Sequence, residues 1–206
     1  MLQSIMLLRH GEAQSNKEKT FAGWADVPLT PLGIEQAELL SKRLYREKFD
    51  HAYCSDLLRC RETLRLSKVK APATFARELR EKNYGQVEGI NWEEHPEYHE
   101  QHTNPFNTAP GGESALGVQQ RVVDYFENEI TKSGFERVLL VSHHGPIVLL
   151  SCHLLHIPIE YWRSLRMGNA GLSQFDWEEG QLRLTLWNSL SHFGMITNRG
   201  LFREKK

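Results

Sequence analysis

One pattern occurs twice in this chain and limits its fold more than any other. Ile5-Met6-Leu7-Leu8 runs into Arg9-His10-Gly11, and Val138-Leu139-Leu140-Val141-Ser142 runs into His143-His144-Gly145. Short unbroken aliphatic runs of this kind, stopped by glycine, read as strands buried on both faces, the habit of parallel sheets covered by helices. His10 and His143 therefore fall at or just past strand carboxyl ends, where open α/β sheets bind ligands. Arg9 sets an anion-binding group beside a nucleophile or acid/base.

The segments between fit the same class. Thr30 followed by Pro31 is a helix start, and Ile34, Ala37, Leu40 and Leu44 recur at helical spacing through about Lys48. His51 to Cys54 reads as a second strand, and Ser55 or Asp56 as the cap of a helix through Leu66 that carries Arg59 near its start. A brief third strand is expected near Thr74 to Ala76. From Ile90 to Gly112 periodicity is lost, and the segment holds Trp92, His95, Tyr98, His99, His102 and Phe106. A loop of this length inside one domain is typically functional. Ser114 caps a helix with Leu116, Val122, Val123, Phe126 and Ile130 inward, ended by Gly134. Pro146 opens an almost wholly apolar helix through Leu155, and Leu172 to Trp177 with Leu182 to Asn188 form a hairpin around Glu179-Gly180. The reading is one α/β domain over residues 1–206.

Composition removes several function classes. The formal net charge of −1 gives no pull toward nucleic acid, and Arg203 to Lys206 reads as a solvated tail. Met1 to Leu8 lacks a secretion signal's charged start, and no stretch nears the ~20 apolar residues of a membrane helix. Cys54, Cys60 and Cys152 show no metal-type spacing and fit reduced thiols, so the expectation is a cytoplasmic protein without a membrane partner. His95, His99 and His102 lack a fourth ligand, so no metal is assigned and they read as surface residues of a substrate-covering loop. His153 and His156 read as partly buried helix residues, and Trp162, Trp177 and Trp187 as core or the seam of a homodimer.

Two strand-end histidines with two arginines, Arg9 and Arg59, suit a phosphoryl group. Guanidinium forks match phosphate oxygens and stay charged. Neutral imidazole can attack phosphorus and form a phosphohistidine that water then hydrolyses. A second, protonated histidine would stabilise the equatorial oxygens. Glu81 is the best-placed carboxyl to protonate the departing alkoxide. Competing chemistries leave no mark: there is no cysteine–arginine phosphate loop, Asp-x-Asp pair, P-loop or Gly-x-Ser-x-Gly elbow.

At this point the chain resembles a known family. Leu8-Arg9-His10-Gly11-Glu12 with Asn16 is similar to the signature of the histidine phosphatase superfamily, the phosphoglycerate mutase-like proteins. Leu29-Thr30-Pro31-Leu32-Gly33 before Gln36-Ala37, Ser55-Asp56-Leu57-Leu58-Arg59 with Thr63, and Glu81-Lys82-Asn83-Tyr84-Gly85 with Glu88-Gly89 resemble its next blocks. Gly111-Gly112-Glu113-Ser114 and Val141-Ser142-His143 complete the order. The resemblance implies a three-layer α/β/α sandwich with a mixed, mostly parallel sheet of about six strands. It implies His10 as nucleophile, Arg9, Arg59 and His143 as phosphate pocket, Asn16 as a further phosphate donor and Glu81 as acid then base. Neither cofactor nor metal is implied.

The chain departs from the family pattern at His144, where glycine is usual, and at Cys60, where alanine is common. The extra imidazole would crowd the pocket or contact substrate, and the thiol is a packing matter. Ile90 to Pro110 is shorter than the proline-rich insertion of the family's mutases. That favours a histidine acid phosphatase-type phosphomonoesterase acting on a small-molecule phosphomonoester. The alternatives are a phosphoglycerate mutase-like phosphotransferase and a catalytically silent phospho-ligand-binding module.

Overall fold

The computed structural model describes residues 1–101 and 104–196, so His102 and the Arg203 to Lys206 tail lie outside it. In chain order its elements are β1 (Ser4–Arg9), α1 (Gln14–Glu18), α2 (Pro31–Arg43), β2 (His51–Ser55), α3 (Leu58–Leu66) and β3 (Ala73–Ala76). There follow α4 (Pro96–Gln101), α5 (Ala115–Tyr125), β4 (Arg137–Ser142), α6 (His144–Leu154), β5 (Leu172–Glu178) and β6 (Gln181–Ser189).

The two histidine-ended runs are neighbours in one six-stranded sheet, ordered β3-β2-β4-β1-β5-β6. β1 pairs with β4, β4 with β2 and β2 with β3, all in parallel, while β5 and β6 add an antiparallel edge. Glu179 and Gly180 both take positive φ at the β5–β6 turn, which matches the right-handed twist of a tight hairpin.

Alternation along the central strands explains the layers. Ile5, Leu7, Val138 and Leu140 face Val122, Phe126, Ile130, Ile147 and Leu150 of the α5–α6 side. Met6, Leu8, Leu139 and Val141 face Leu40, Cys60 and Phe193 on the opposite side, where α2 and α3 pack. The result is an α/β/α sandwich whose central strands are covered on both faces, as their unbroken aliphatic composition requires. No helix among the described residues is long and apolar enough to cross a membrane.

Local signals succeeded at Thr30 and Ser114, whose side chains accept from the amides of Gly33 and Gly117. They failed where a distant partner competes. α3 begins after Leu57 with its first amide, of Leu58, taken at 2.6 Å by the distant Asp26 and not by a local cap, because Ser55 turns to His143 and Asp56 holds Arg80 through two bonds of 2.6 Å. α2 ends at Arg43 instead of Lys48, and Ile34 faces outward because Gly33 and Gln36 take the inward positions. Leu116 is half-buried beside the buried Ala115 and Val118. The segments after Gly11 and after Ile90 each hold a short helix, α1 and α4. His153 is exposed against Glu127, and His156 lies beyond the end of α6, exposed at positive φ. Trp162 is buried, while Trp177 and Trp187 are half-buried.

Candidate active site

The parallel pairing of β1 and β4 sets Arg9 opposite Ser142, so His10 and His143 leave the sheet side by side. Their ring centroids are 5.1 Å apart. Nδ1 of His10 lies 2.7 Å from the Gly11 carbonyl. A carbonyl only accepts, so Nδ1 carries the hydrogen and Nε2 keeps its lone pair. Burial, reinforced by Arg59 and Arg9, holds this imidazole well below the usual histidine range. His10 is thus a neutral ring with one free nucleophilic nitrogen.

His143 has the opposite tautomer. Arg59 Nε can only donate, and it donates to Nδ1 of His143 at 3.2 Å. Nε2 therefore carries the hydrogen and gives it to Ser55 Oγ at 2.8 Å. Cys60 Sγ lies against the same ring, 3.4 Å from Nε2, so the thiol at this packing position also touches the site. The remainder of the Arg59 guanidinium is fixed by the carbonyls of Ala25 at 2.9 Å and Gly23 at 2.8 Å.

Arg9 donates through Nη1 to the Met167 carbonyl at 2.6 Å, while its Nε is buried without a protein partner. Burial lowers its pKa to about 10, which leaves it cationic at neutral pH. Asn16 is oriented through its oxygen: Oδ1 accepts from the Ala13 amide and from Asn169 Nδ2, each at 3.0 Å. That turns the amide nitrogen of Asn16 away from these donors, on a side chain that lines the cavity.

Glu81 faces this group across the cavity. Its Oε1 accepts from the Lys82 amide at 2.9 Å and its Oε2 from the Gly145 amide at 3.4 Å. Its backbone carbonyl accepts from Trp24 Nε1 at 2.8 Å and Arg121 Nη2 at 3.4 Å. Glu113, from the Gly-Gly-Glu-Ser block, holds Arg121 at 2.6 Å and the Asn83 amide at 2.8 Å. The block thus braces the loop that carries the carboxyl.

All six residues singled out in the sequence, Arg9, His10, Asn16, Arg59, Glu81 and His143, come together here. Five of them line a cavity of about 600 Å³, and His143 stands behind His10 and Arg59. Trp92 of the Ile90 to Gly112 segment forms part of the wall with Phe21, Tyr84 and Trp162. His144 also lines the cavity, its ring 6.4 Å from that of Trp162. His95 is instead exposed and paired with Glu97, and no cluster of metal-ligating side chains occurs among the described residues.

Sequence reasoning missed Ser55 as the partner of His143 and Asn169 as the residue that orients Asn16. Ser55 sat inside a quoted block but competed with its own reading as a helix cap. Asn169 precedes Ala170, whose amide bonds the His10 carbonyl at 3.0 Å, and no periodicity marks that link.

The sequence profile of the histidine phosphatase superfamily (branch 1) matches residues 5–190. The chain is 32% identical over 197 residues to the adenosylcobalamin/alpha-ribazole phosphatase of Escherichia coli, covering 90% of this chain and 95% of that one. It is 34% identical over 169 residues to a 2,3-bisphosphoglycerate-dependent phosphoglycerate mutase of Cytophaga hutchinsonii, covering 76% and 79%. The crystal structure of the alpha-ribazole phosphatase from Shigella flexneri superposes with a TM-score of 0.79 at 28% identity, covering 90% of this chain and 96% of that one. With its signature blocks gathered around one cavity, this chain belongs to branch 1 of the histidine phosphatase superfamily.

Proposed function

We propose that this protein is a phosphomonoesterase that works through a phosphohistidine on Nε2 of His10. The observation that carries the reading is the bond from His10 Nδ1 to the Gly11 carbonyl, which leaves Nε2 as a lone pair on a ring whose surroundings include the charges of Arg59 and Arg9. Arg9 and Arg59 take the phosphoryl oxygens, with the amide of Asn16 as a further donor. Attack by Nε2 forms the N–P bond as the ester P–O bond breaks, and Glu81 in its acid form gives its proton to the leaving oxygen. Water then attacks the phosphohistidine, returns a proton to Glu81 and releases phosphate. As Arg59 Nε turns from Nδ1 of His143 to the phosphoryl oxygens, that nitrogen is free to take a proton, and the imidazolium balances charge on the equatorial oxygens. The arginines supply the positive charge, so the reaction is metal-independent in this reading. Cys54, Cys60 and Cys152 are unpaired and buried, which supports a reducing, cytoplasmic setting.

The test is phosphate release from aryl, sugar, nucleoside and glycerate phosphates in excess EDTA, wild type beside His10→Ala. Release by wild type alone, with an acid-labile, base-stable label on the protein that His10→Ala lacks, is the expected result. Equal release by His10→Ala would move the nucleophile elsewhere.

Similarity to the Cytophaga hutchinsonii mutase favours a second reading, in which a substrate hydroxyl takes the phosphoryl group in place of water. Interconversion of phosphoglycerates without net phosphate release would select it.

A further inference from the structure

Arg59 and Glu81 come from different segments, the first turn of α3 and the loop before Gly85. A proton reaches the leaving oxygen only if the carboxyl keeps register with the arginine that holds the phosphoryl group. A turn between α1 and α2 touches both segments. Ala25 closes it by donating its amide to the Ala22 carbonyl at 2.8 Å, and Gly23 within it has a φ of 50°.

On one side this turn holds the phosphate arginine. The carbonyls of Gly23 and Ala25 accept from Nη2 and Nη1 of Arg59, and Asp26 accepts the amide of Leu58, the residue before it. On the other side it holds the loop that carries the acid. Trp24 stands between the two carbonyls in the chain, and its indole N–H donates to the Glu81 carbonyl at 2.8 Å. The Trp24 amide donates to Glu88 Oε1 at 2.8 Å, and the same oxygen accepts the Tyr84 amide at 3.3 Å. A Cβ on Gly23 would overlap that carboxylate, so turn and loop are closely fitted there. The guanidinium carbons of Arg80 and Arg77 lie 5.1 and 5.5 Å from the centre of the Trp24 ring, and Arg80 is fixed in turn by Asp56. The indole is thus held by its faces as well as by its edge.

We propose that Trp24 is a positioning residue that transmits the place of Arg59 to Glu81, so that the carboxyl stands at the leaving oxygen when the arginine holds the phosphoryl group. The inference rests on the phosphomonoesterase reading. Trp24 itself stands outside the cavity that Gly23, Arg59 and Glu81 line. It acts through the Glu81 carbonyl, which fixes the backbone from which the carboxyl hangs. Arg121 Nη2 reaches the same carbonyl at 3.4 Å and is the weaker restraint.

The test is Trp24→Phe, which keeps an aromatic ring beside the arginines and removes the indole N–H. For the fastest alkyl phosphate of the panel above, kcat should fall about tenfold with KM within about twofold of wild type. For an aryl phosphate kcat should fall less than about twofold, because a good leaving group needs little protonation. In a Glu81→Gln background the same substitution should cost less than about twofold on either ester, since the group it acts through is gone. Trp24→Met, a flexible apolar filler, should repeat the pattern and decides the matter if the phenylalanine variant does not fold. Equal losses on both esters, a loss undiminished beside Glu81→Gln, or no loss at all would overturn the positioning role and leave the phosphomonoesterase reading standing. Wild-type release confined to the aryl ester would remove the acid step that Trp24 serves and so overturn it too. Release from no member of the panel would overturn both readings.

Discussion

The amide of Gly145 points at Oε2 of Glu81 across 3.4 Å, and a Cβ on that glycine would lie 2.3 Å from Oε1. The glycine after the strand-end histidines therefore serves as clearance for a carboxyl from another part of the chain. Gly145→Ala would meet only the mobile end of a side chain, so Glu81 can swing aside. Stability should change by less than about 1 kcal/mol, since alanine also favours the helix. Turnover of alkyl phosphates should fall about 10- to 100-fold as the acid leaves its position, with a much smaller loss for aryl phosphates. Melting curves and the two rates check this, and equal losses on both ester classes would deny Glu81 the acid role.

Ser55 is the acceptor for the Nε2 hydrogen of His143. Ser55→Ala removes it and leaves that N–H with only the weakly accepting sulfur of Cys60 at 3.4 Å. A buried donor left so costs about 1–3 kcal/mol. The imidazolium loses more than the neutral ring, because its hydrogen bond is charge-assisted. The limb of the rate profile that reports protonated His143 should therefore shift to lower pH, with kcat/KM down about tenfold at neutral pH. A loss of stability with an unmoved profile would make Ser55 a packing residue only.

Gly33 and Gly11 face each other where α2 begins. A Cβ on Gly33 would lie 2.0 Å from the Glu12 carbonyl oxygen, and one on Gly11 would lie 2.5 Å from the Gly33 oxygen. Both obstacles are backbone, so neither can rotate away. Gly33→Ala should cost about 3 kcal/mol in denaturant unfolding and weaken phosphate binding by shifting the residues after His10. Leu32→Ala, at an exposed neighbour, should stay within about 0.5 kcal/mol of wild type.

These cases show what could be read from the chain and what could not. The strands carrying His10 and His143 were legible because complete burial demands unbroken aliphatic runs. The caps at Thr30 and Ser114 were legible because cap and amide are three residues apart. Five of the six candidate residues stood out by their chemistry at strand ends and loop starts, and the signature blocks added Asn16. Contacts that join distant segments were not legible: Ser55 with His143, Asn169 with Asn16, and Glu113 with Arg121 below Glu81. Ile34 misled for a related reason. Its period was right, but the inward face of α2 is set by the close approach of Gly33 and Gln36 to residues 11 and 12.

Buried neutral histidines should also give the protein a steep acid limit. Burial, and then nearby arginines, holds His10 and His143 well below their ordinary 6.5, and His144 down to about 3. As pH falls below about 6.5 the unfolded chain binds protons at these positions and the folded chain does not. The unfolded state then holds more protons, so stability falls with pH and is complete only above the unfolded value. Each ring contributes about 1.4 kcal/mol per pH unit until its folded pKa is reached. Unfolding midpoints in denaturant should therefore drop from about pH 7 to about pH 5 more steeply than carboxylates alone would cause. Removing one titrating ring in His144→Gln should flatten that slope. A bound phosphate or vanadate should flatten it further, because an anion between the arginines lets His143 protonate within the fold. A midpoint unchanged over this interval, with or without the anion, would mean that the rings titrate alike in both states and that the neutral His10 nucleophile is misassigned.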